Sequence, residues 1–193
     1  MKTFKLEGTL REGLGKKATK ALRSSDLVPC VLYGGKENVH FQVKTADLRN
    51  LIYTPNVYIV ELTVGDKKAN AVMKEIQFHP VKDNILHIDF FEIVDNKPVA
   101  IEVPVKLEGL SVGVRAGGKL TLDTRKLKVK GQFDKIPDTL IINVENLELG
   151  KTIQVKSLSF DGVEILNAPN TVVASCRLTR AARGNAAAEA AKK

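Results

Sequence analysis

Apolar and polar residues alternate along most of this chain, with the period of two that half-buried β-strands show. The opening segment places Phe4, Leu6 and Leu10 on one face and polar or charged residues, Arg11 among them, on the other. The same alternation returns in short segments up to residue 174, and turn-forming residues separate these segments. The pattern predicts a mainly β protein with minor α structure.

Two short segments have a helical period instead. Within residues 15–25, Lys16, Lys20 and Arg23 recur at i, i+4 and i+7, so they share one side of a predicted helix with a basic face. A second helix is predicted to begin at Thr45, whose hydroxyl is expected to act as the N-cap.

The remaining alternating segments predict strands in both halves of the chain. In the first half these are residues 28–33, 40–44, a hairpin of 58–64 with 70–78, and 85–90; in the second half they are 101–105, 120–122, 127–129, 140–144, 152–155 and 171–174. In the strand at 85–90, Leu86, Ile88 and Phe90 are expected to face inward, whereas His87 and Asp89 share the exposed face.

Chain length and a cluster of turn formers predict two domains. The chain has 193 residues, more than a single domain usually contains, and Asp95-Asn96-Lys97-Pro98 has the composition of a linker. We therefore expect an N-terminal domain over residues 1–95 and an all-β domain over 98–176. Residues 177–193, with five basic residues, one acidic residue and much alanine, are expected to form a flexible basic tail.

The positive charge is concentrated near the N-terminus. The chain has a formal net charge of +8 and a pI near 9.5. Residues 1–36 contain eight lysines and arginines against three acids, a net of +5, whereas residues 98–176 contain ten against nine, a net of +1. A modest basic excess is also common in proteins that need it only for solubility. The local concentration favours a surface that binds a polyanion such as nucleic acid.

Cysteine and histidine positions indicate no metal site and no cofactor. Cys30 and Cys176 lie in apolar segments far apart in the sequence, so we expect buried free thiols in a reducing compartment. His40, His79 and His87 are scattered and have no metal-ligand spacing. No segment approaches the roughly 18 apolar residues of a membrane span. We expect a soluble cytoplasmic protein that does not bind a membrane.

Two motifs with possible catalytic chemistry do not predict an enzyme. Residues 113–119 have the glycine and lysine spacing of a phosphate-binding loop, but Leu120 stands where a magnesium-binding Ser or Thr is required. The segment 119–123 also alternates as a strand, although that loop must lead into a helix. His87 and Asp89 could be a base and its orienting acid, yet no nucleophile accompanies them.

The basic residues near the N-terminus indicate a function more strongly than the two candidate catalytic motifs do. Arg11 on an exposed strand face, with Lys16, Lys20 and Arg23 along one helical side, would place four cations where RNA phosphates could meet them. A solvated helix face is the alternative. Tyr33, beside a predicted turn, could stack on a base or ribose, or it could close a barrel core.

Three stretches carry a family resemblance. They are residues 11–23 (REGLGKKATKALR), 29–35 (PCVLYGG) and 79–90, which begins with His-Pro and ends with HIDF. Together they resemble the bacterial ribosomal protein L-twenty-five, or general stress protein Ctc, family. Residues 105–120, 136–137 and 171–174 look like the additional β domain of the long form of that family.

The resemblance implies a fold, a partner and a set of contacts. It implies a six-stranded N-terminal β-barrel with short helices and a C-terminal all-β domain. It also implies a structural constituent of the large ribosomal subunit that supports translation. The implied RNA partner is the loop E region of 5S ribosomal RNA in the central protuberance. Other ribosomal proteins are the implied neighbours, and no small-molecule substrate is implied. The RNA-binding residues implied are Arg11, Lys16, Lys20 and Arg23 for the backbone, and Tyr33, His87 and Asp89, with Gln77, for the nucleotides.

One departure from the family affects the predicted helix. Members often have consecutive arginines where this chain has Lys20-Ala21, and lysine offers a point charge without the bidentate fork of arginine. An RNA-binding stress factor that acts away from the ribosome is the other RNA-binding hypothesis. The nearly neutral second domain does not indicate its partner.

Overall fold

The structure, a computed structural model, describes residues 2–35, 37–94 and 97–180. It divides the chain into two compact units, residues 1–101 and 102–193. The first contains a closed six-stranded barrel, and the remaining strands form two further sheets. The predicted fold, a mainly β protein with an N-terminal six-stranded barrel and a second β domain, is confirmed.

The barrel strands follow a mixed order. The elements of this part are β1 (Lys2–Leu10), α1 (Lys16–Ser24), β2 (Leu27–Tyr33), β3 (Val39–Lys44), α2 (Thr45–Ile52), β4 (Tyr58–Val64), β5 (Lys67–Phe78) and β6 (Ile85–Glu92). Around the barrel the order is β1-β3-β2-β6-β5-β4. The β1–β4 and β2–β6 pairs are parallel, and the other pairs are antiparallel. Closure of the barrel leaves no free sheet edge.

The second half of the chain forms two smaller sheets. Its elements are β7 (Val99–Glu108), α3 (Val112–Arg115), β8 (Lys119–Leu122), β9 (Lys126–Gly131), β10 (Leu140–Asn143), β11 (Thr152–Gln154), β12 (Val163–Ile165) and β13 (Val172–Arg177), with 3₁₀ turns at Phe133–Lys135 and Val155–Ser157. One sheet has the order β10-β7-β9-β12 and the other β11-β13-β8. The sequence patterns did not predict α3 or β12.

Apolar residues from alternate strand positions fill the barrel. Phe41 and Phe90 are fully buried, and their ring centroids lie 5.7 Å apart. The helix α2 covers this core with Leu48 and Leu51, both buried. The full burial of large side chains from β3, β6 and α2 makes this core the main stabilising feature of the first unit.

The end of β1 differs from its prediction because Leu10 lies beyond the last residue that pairs with β4. A Cβ atom on Gly8 would lie 2.6 Å from Cδ2 of Phe41, so glycine lets that ring pack against β1. The parallel pairing with β4 ends at Gly8, and Leu10 lies opposite Phe41 on β3. Leu10 is 61% exposed, so its predicted inward orientation is wrong.

A β-bulge changes which residues of β6 face the core. Gln77 lies opposite His87, whereas the next residue of β5, Phe78, lies opposite Ile85. Leu86 therefore has no opposite residue on β5. Ile85 is buried and Leu86 is only half-buried, so the predicted inward position of Leu86 belongs to Ile85.

Thr45 has a different role from the predicted N-cap. It is the first residue of α2, and no side-chain cap bond is present at this helix start. Its backbone N–H and its hydroxyl both donate to the carbonyl of Asp26, over 3.0 and 2.8 Å. Asp26 has a φ of 56°, in the left-handed region that aspartate tolerates better than most residues. The start of α2 is thereby fixed to the segment between α1 and β2.

The glycine-rich segment 113–119 does not form a phosphate-binding loop. Its first residues lie in α3, and Lys119 begins β8, which pairs with β13, as the alternating pattern predicts. A phosphate-binding loop leads into a helix instead. A Cβ atom on Gly113 would lie 2.5 Å from Sγ of Cys176, so this glycine permits close packing.

A polar network joins β13 to the end of β8. Oδ2 of Asp123 accepts a hydrogen bond from the Ser175 hydroxyl over 2.6 Å, and Oδ1 accepts one from Nη2 of Arg177 over 2.7 Å. The Ser175 hydrogen bond, with a smaller contribution from Arg177, holds the pKa of Asp123 below its ordinary value of 3.8. Arg177 is thus the last residue of β13, although the sequence places it in the tail. Residues 181–193 of that tail lie outside the described residues.

We predict that Phe41→Ala destabilises the first unit by about 3 to 5 kcal/mol, since it leaves a cavity in the barrel core. The matched variant is Phe78→Ala, because Phe78 is 41% exposed. That variant should change the free energy of unfolding by roughly 0.5 kcal/mol. Urea unfolding of both full-length variants measures the difference, and equal losses would contradict the placement of Phe41 in the core.

We predict that Ser175→Ala reduces the dependence of stability on acid. A carboxyl group with a lowered folded-state pKa stabilises the fold above its unfolded pKa, and this contribution is lost as the pH falls through the folded value. Without the Ser175 hydroxyl, the pKa of Asp123 returns towards 3.8, so less stability should be lost as the pH falls from about 5 through 3.8 and below. Hydrogen exchange of β8 and β13 amides measures it. Ser157→Ala is the control, since its hydroxyl donates to a backbone carbonyl and not to a carboxylate.

Candidate nucleic-acid interface

Polar side chains from β5 and β6 form a row on the outside of the barrel. Gln77 lies opposite His87, and Glu75 lies opposite Asp89. Asp89 also lies opposite Val31 of β2 in the parallel β2–β6 pair. The alternation of β6 buries the residues between these positions, so His87 and Asp89 point outward as predicted.

His87 and Asp89 form a hydrogen-bonded pair. Nδ1 of His87 lies 2.7 Å from Oδ1 of Asp89, and each side chain is 28% exposed. A carboxylate only accepts hydrogen bonds, so the hydrogen of this bond belongs to Nδ1 of His87. Nε2 of the ring and the second oxygen of Asp89 then remain for a ligand.

Tyr33 lies at the end of β2, on the same outer side as this pair. Its neighbour Leu32 is buried in the barrel, whereas Tyr33 is half-buried and packs edge-on against Phe91 with a centroid distance of 5.6 Å. Partial burial, with Asp89 and Glu75 next in effect, raises the pKa of Tyr33. The phenol therefore stays protonated and can donate. Tyr33 does not close the barrel core. We define the outer face as Tyr33, Gln77, His87 and Asp89.

Arg11 lies in the loop after β1 and not on an exposed strand face as predicted. Its backbone N–H donates to the carbonyl of His40 over 3.1 Å, and its Nε donates to the carbonyl of Gly13 over 2.9 Å. The loop is thereby held against β3. Since only Nε is used, the rest of the guanidinium keeps donors for another partner.

Arg23 connects α1 to β6. Its Nε and Nη2 both donate to the carbonyl of Leu86, over 3.0 and 2.8 Å. Leu86 is the bulged residue of β6, and it directly precedes His87. Lys16 and Lys20 lie on the same helix and are exposed, as predicted. Arg23 therefore has a structural role in placing the basic helix beside the outer face.

A groove of about 1090 Å³ lies between α1, α2 and the β5–β6 loop. Lys20 and Arg23 line it, whereas Lys16 and the outer-face residues do not. The groove and the outer face thus hold most of the predicted contact residues and adjoin at residues 86 and 87, whereas Arg11 and Lys16 belong to neither. We define the α1–α2 groove by its cationic residues Lys20, Arg23, Arg49 and Lys82.

Sequence patterns missed the contribution of α2 and the β5–β6 loop to this groove. Arg49 and Tyr53 are four residues apart, at the end of α2 and just after it, and Tyr53 is 65% exposed. Lys82 comes from the loop, together with His79. An exposed aromatic one helical turn from an arginine was the signal available in the sequence.

The side of the barrel formed by β1, β4 and β5 has balanced charge. Lys5 lies opposite Glu61 in the β1–β4 pair, and Thr63 lies opposite Lys68 in the β4–β5 pair. Glu7 is on the same surface. Opposite charges across neighbouring strands stabilise the sheet and leave little net field. The positive charge of this unit is therefore concentrated around α1.

The described residues contain no metal centre and no reactive thiol. No group of three or more histidine, cysteine, aspartate or glutamate side chains within them could hold a metal ion. Cys30 and Cys176 are free and buried, and burial raises the pKa of Cys30, which keeps it protonated. None of the described helices is long and apolar enough to cross a membrane.

Comparison with known proteins gives matches over nearly the whole chain. The sequence matches the Ribosomal L25p family over residues 6–90 and the C-terminal domain of ribosomal protein TL5 over residues 98–180. It is 61% identical over 184 residues to the large ribosomal subunit protein bL25 of Azobacteroides pseudotrichonymphae, which covers 95% of this chain and 97% of that protein.

Two further relatives carry the same name. The protein of Porphyromonas gingivalis is 57% identical over 188 residues, covering 96% of this chain and 98% of its own length. That of Bacteroides fragilis is 54% identical over 193 residues, covering 97% and 98%.

The family consists of structural ribosomal proteins, so this chain is not an enzyme, as its sequence predicts. The match over residues 6–90 includes nearly all of the barrel, the outer face and the cationic residues around α1. With these matches in both halves, the chain belongs to the Ribosomal L25p family, in the two-domain form that carries a TL5-type C-terminal domain.

Proposed function

We propose that this chain is a structural constituent of the large ribosomal subunit that binds the loop E region of 5S ribosomal RNA in the central protuberance and so supports translation. It would act in the cytoplasmic ribosome, next to other ribosomal proteins. The observation that carries the proposal is the His87–Asp89 pair beside Tyr33 on the outside of an L25p-family barrel.

The outer face presents groups that suit a nucleobase edge or ribose. Nε2 of His87, the free oxygen of Asp89 and the phenol of Tyr33 supply both donors and acceptors within one side of β2 and β6. RNA helices with non-standard pairs expose base edges and 2′-hydroxyls in a wide, shallow minor groove. Gln77, opposite His87, adds an amide that can donate and accept.

Asp89 of the outer face and the neighbouring Glu75 argue for contacts with bases and not with phosphates. Asp89 lies opposite Glu75, and a phosphate placed there would be repelled. Base amino and imino groups are donors, so they can approach Asp89 favourably. Phosphates are better matched by Arg11, Lys16 and Lys20, which lie on the loop after β1 and on α1.

The departure at Lys20-Ala21 affects how α1 meets the RNA. Both residues are exposed, so the structure needs neither for the core. Two donors of the Arg23 guanidinium bond to the carbonyl of Leu86. The charges that α1 offers to phosphates are therefore mostly those of lysines, which act as point charges. We propose that α1 contributes affinity through phosphates, and that the outer face contributes the recognition of loop E.

The names of the relatives favour the ribosomal proposal over a stress factor that acts away from the ribosome. The relatives are named as proteins of the large ribosomal subunit. Cosedimentation of the chain with 50S particles supports the ribosomal proposal, whereas exclusive recovery in the free fraction favours the stress factor.

We predict that Tyr33→Ala weakens binding of the full chain to 5S ribosomal RNA by about 5- to 150-fold, since stacking of one base on an aromatic ring contributes about 1 to 3 kcal/mol. Tyr58→Ala is the matched control, because Tyr58 also packs edge-on against a phenylalanine, at 5.9 Å from Phe4. Filter binding at two salt concentrations measures both. His87→Ala should weaken binding as well.

The RNA control for this titration is a 5S ribosomal RNA with a mutated loop E. Wild-type protein should bind it more weakly, and Tyr33→Ala should reduce the difference between the two RNAs. Equal wild-type affinity for the two RNAs contradicts recognition of loop E. Equal effects of Tyr33→Ala and Tyr58→Ala contradict the assignment of the outer face.

We predict that a fragment of residues 1–97 keeps most of the affinity for 5S ribosomal RNA. All six barrel strands end by Glu92, and the predicted linker begins at Asp95. Circular dichroism and urea unfolding should first establish that the fragment folds. A folded fragment that binds more than about tenfold more weakly than the full chain would assign part of the RNA interface to residues 98–193.

A further inference from the structure

The walls of the α1–α2 groove are held in place by hydrogen bonds. The carbonyl of Asp26, between α1 and β2, accepts hydrogen bonds from the backbone N–H and the hydroxyl of Thr45 at the start of α2. The guanidinium of Arg23 donates to the carbonyl of Leu86 and so attaches α1 to β6. These bonds fix two helices relative to β6, so a ligand would not have to order them on binding.

The β5–β6 loop forms the third wall, and a histidine organises it. Nδ1 of His79 accepts hydrogen bonds from the backbone N–H groups of Val81 and Lys82, over 3.2 and 3.3 Å. The backbone N–H of His79 itself donates to the carbonyl of Asn84 over 2.8 Å. With Nδ1 accepting, the hydrogen of the ring is on Nε2, which is left as a donor for another partner.

Three cations of the groove lack a partner within the described part of the chain. The side chains of Lys20, Arg49 and Lys82 are exposed and make no hydrogen bond or ion pair with another described residue. Only two acids, Asp26 and Asp83, line the groove against four cations. The balance therefore favours an anionic ligand.

The size and lining of the groove suit a polymer with sugars and aromatic bases. Its volume of about 1090 Å³ lies slightly above the range of roughly 300 to 1,000 Å³ for pockets that bind small molecules. Tyr53, 65% exposed, offers a ring on which a base can stack. The carboxylates of Asp26 and Asp83 can accept from ribose 2′-hydroxyls, which RNA has and DNA lacks.

We propose that the α1–α2 groove binds the sugar–phosphate backbone of a second stretch of the same RNA that the outer face recognises. Arg49 and Lys82 contact phosphates, and Tyr53 contacts a base. This inference rests on the proposed function, because it takes 5S ribosomal RNA as the ligand. In this arrangement RNA lies on both sides of α1, and the RNA interface includes α2 and the β5–β6 loop.

The test measures the affinity of the full chain for a 5S ribosomal RNA transcript over a range of potassium chloride concentrations. The slope of log K against log salt falls by about 0.7 to 0.9 for each phosphate contact that is removed. The double variant Arg49→Ala/Lys82→Ala should therefore lower the slope by about 1.4 to 1.8 and weaken binding at low salt. Tyr53→Ala should weaken binding with little change of slope.

A matched double variant controls for the loss of two positive charges. Lys5→Ala/Lys68→Ala removes the same charge from the balanced side formed by β1, β4 and β5. This variant should leave slope and affinity close to wild type. Charge-conserving Arg49→Lys/Lys82→Arg should keep the wild-type slope, which separates loss of charge from loss of fold.

The outcomes separate this inference from the proposed function. If wild-type protein prefers intact loop E but Arg49→Ala/Lys82→Ala keeps the wild-type slope, the groove proposal is wrong and the ribosomal one stands. An acidic protein partner in the groove would give that result. If wild-type protein binds 5S ribosomal RNA with a mutated loop E as tightly as the intact RNA, the groove proposal and the proposed function are both wrong. Equal slope losses in the groove and control variants would show a general charge effect and overturn the groove proposal.

Discussion

Closure of the six-stranded barrel is the constraint on which the rest of the first unit depends. Each strand must place alternate residues in one shared interior, and large side chains such as Phe41 and Phe90 fill it completely. The same alternation places His87 and Asp89 outside, because the residues between them are needed inside. The β-bulge at Leu86, one of two register shifts in the β5–β6 pair, leaves this residue of β6 without an opposite residue on β5. Arg23 uses the carbonyl of Leu86 to attach α1 to the barrel.

The proposed RNA surface combines opposite charges in separate places. Carboxylates of Glu75 and Asp89 lie among the outer-face strands, whereas unpaired lysines and arginines lie on α1, α2 and the β5–β6 loop. A uniformly basic surface would bind any nucleic acid through its phosphates. Acidic and amide groups within a basic surround favour RNA whose base edges supply donors at matching positions. We propose that this arrangement gives the protein selectivity for one RNA helix.

The second half of the chain has a different character. Several of its polar side chains bond to one another, as in the Ser175, Asp123 and Arg177 network at the end of β8 and β13. Lys128 pairs with Glu102 across exposed strands of the other sheet. With ten basic and nine acidic residues over 98–176, this part has little net field to attract RNA. This charge balance does not by itself indicate the partner of the TL5-type domain.

The sequence by itself determined the mainly β fold, most strand positions, the basic side of α1 and the outward orientation of His87 and Asp89. Periods of 2 and 3.6 residues are properties of a single segment, so they can be recognised without its neighbours. Only the tertiary structure decided the bulge at Leu86, the bond from Thr45 to Asp26 and the groove that brings Arg49 and Lys82 to α1. These features require two or three segments at once, and the register between strands depends on packing that no single segment encodes.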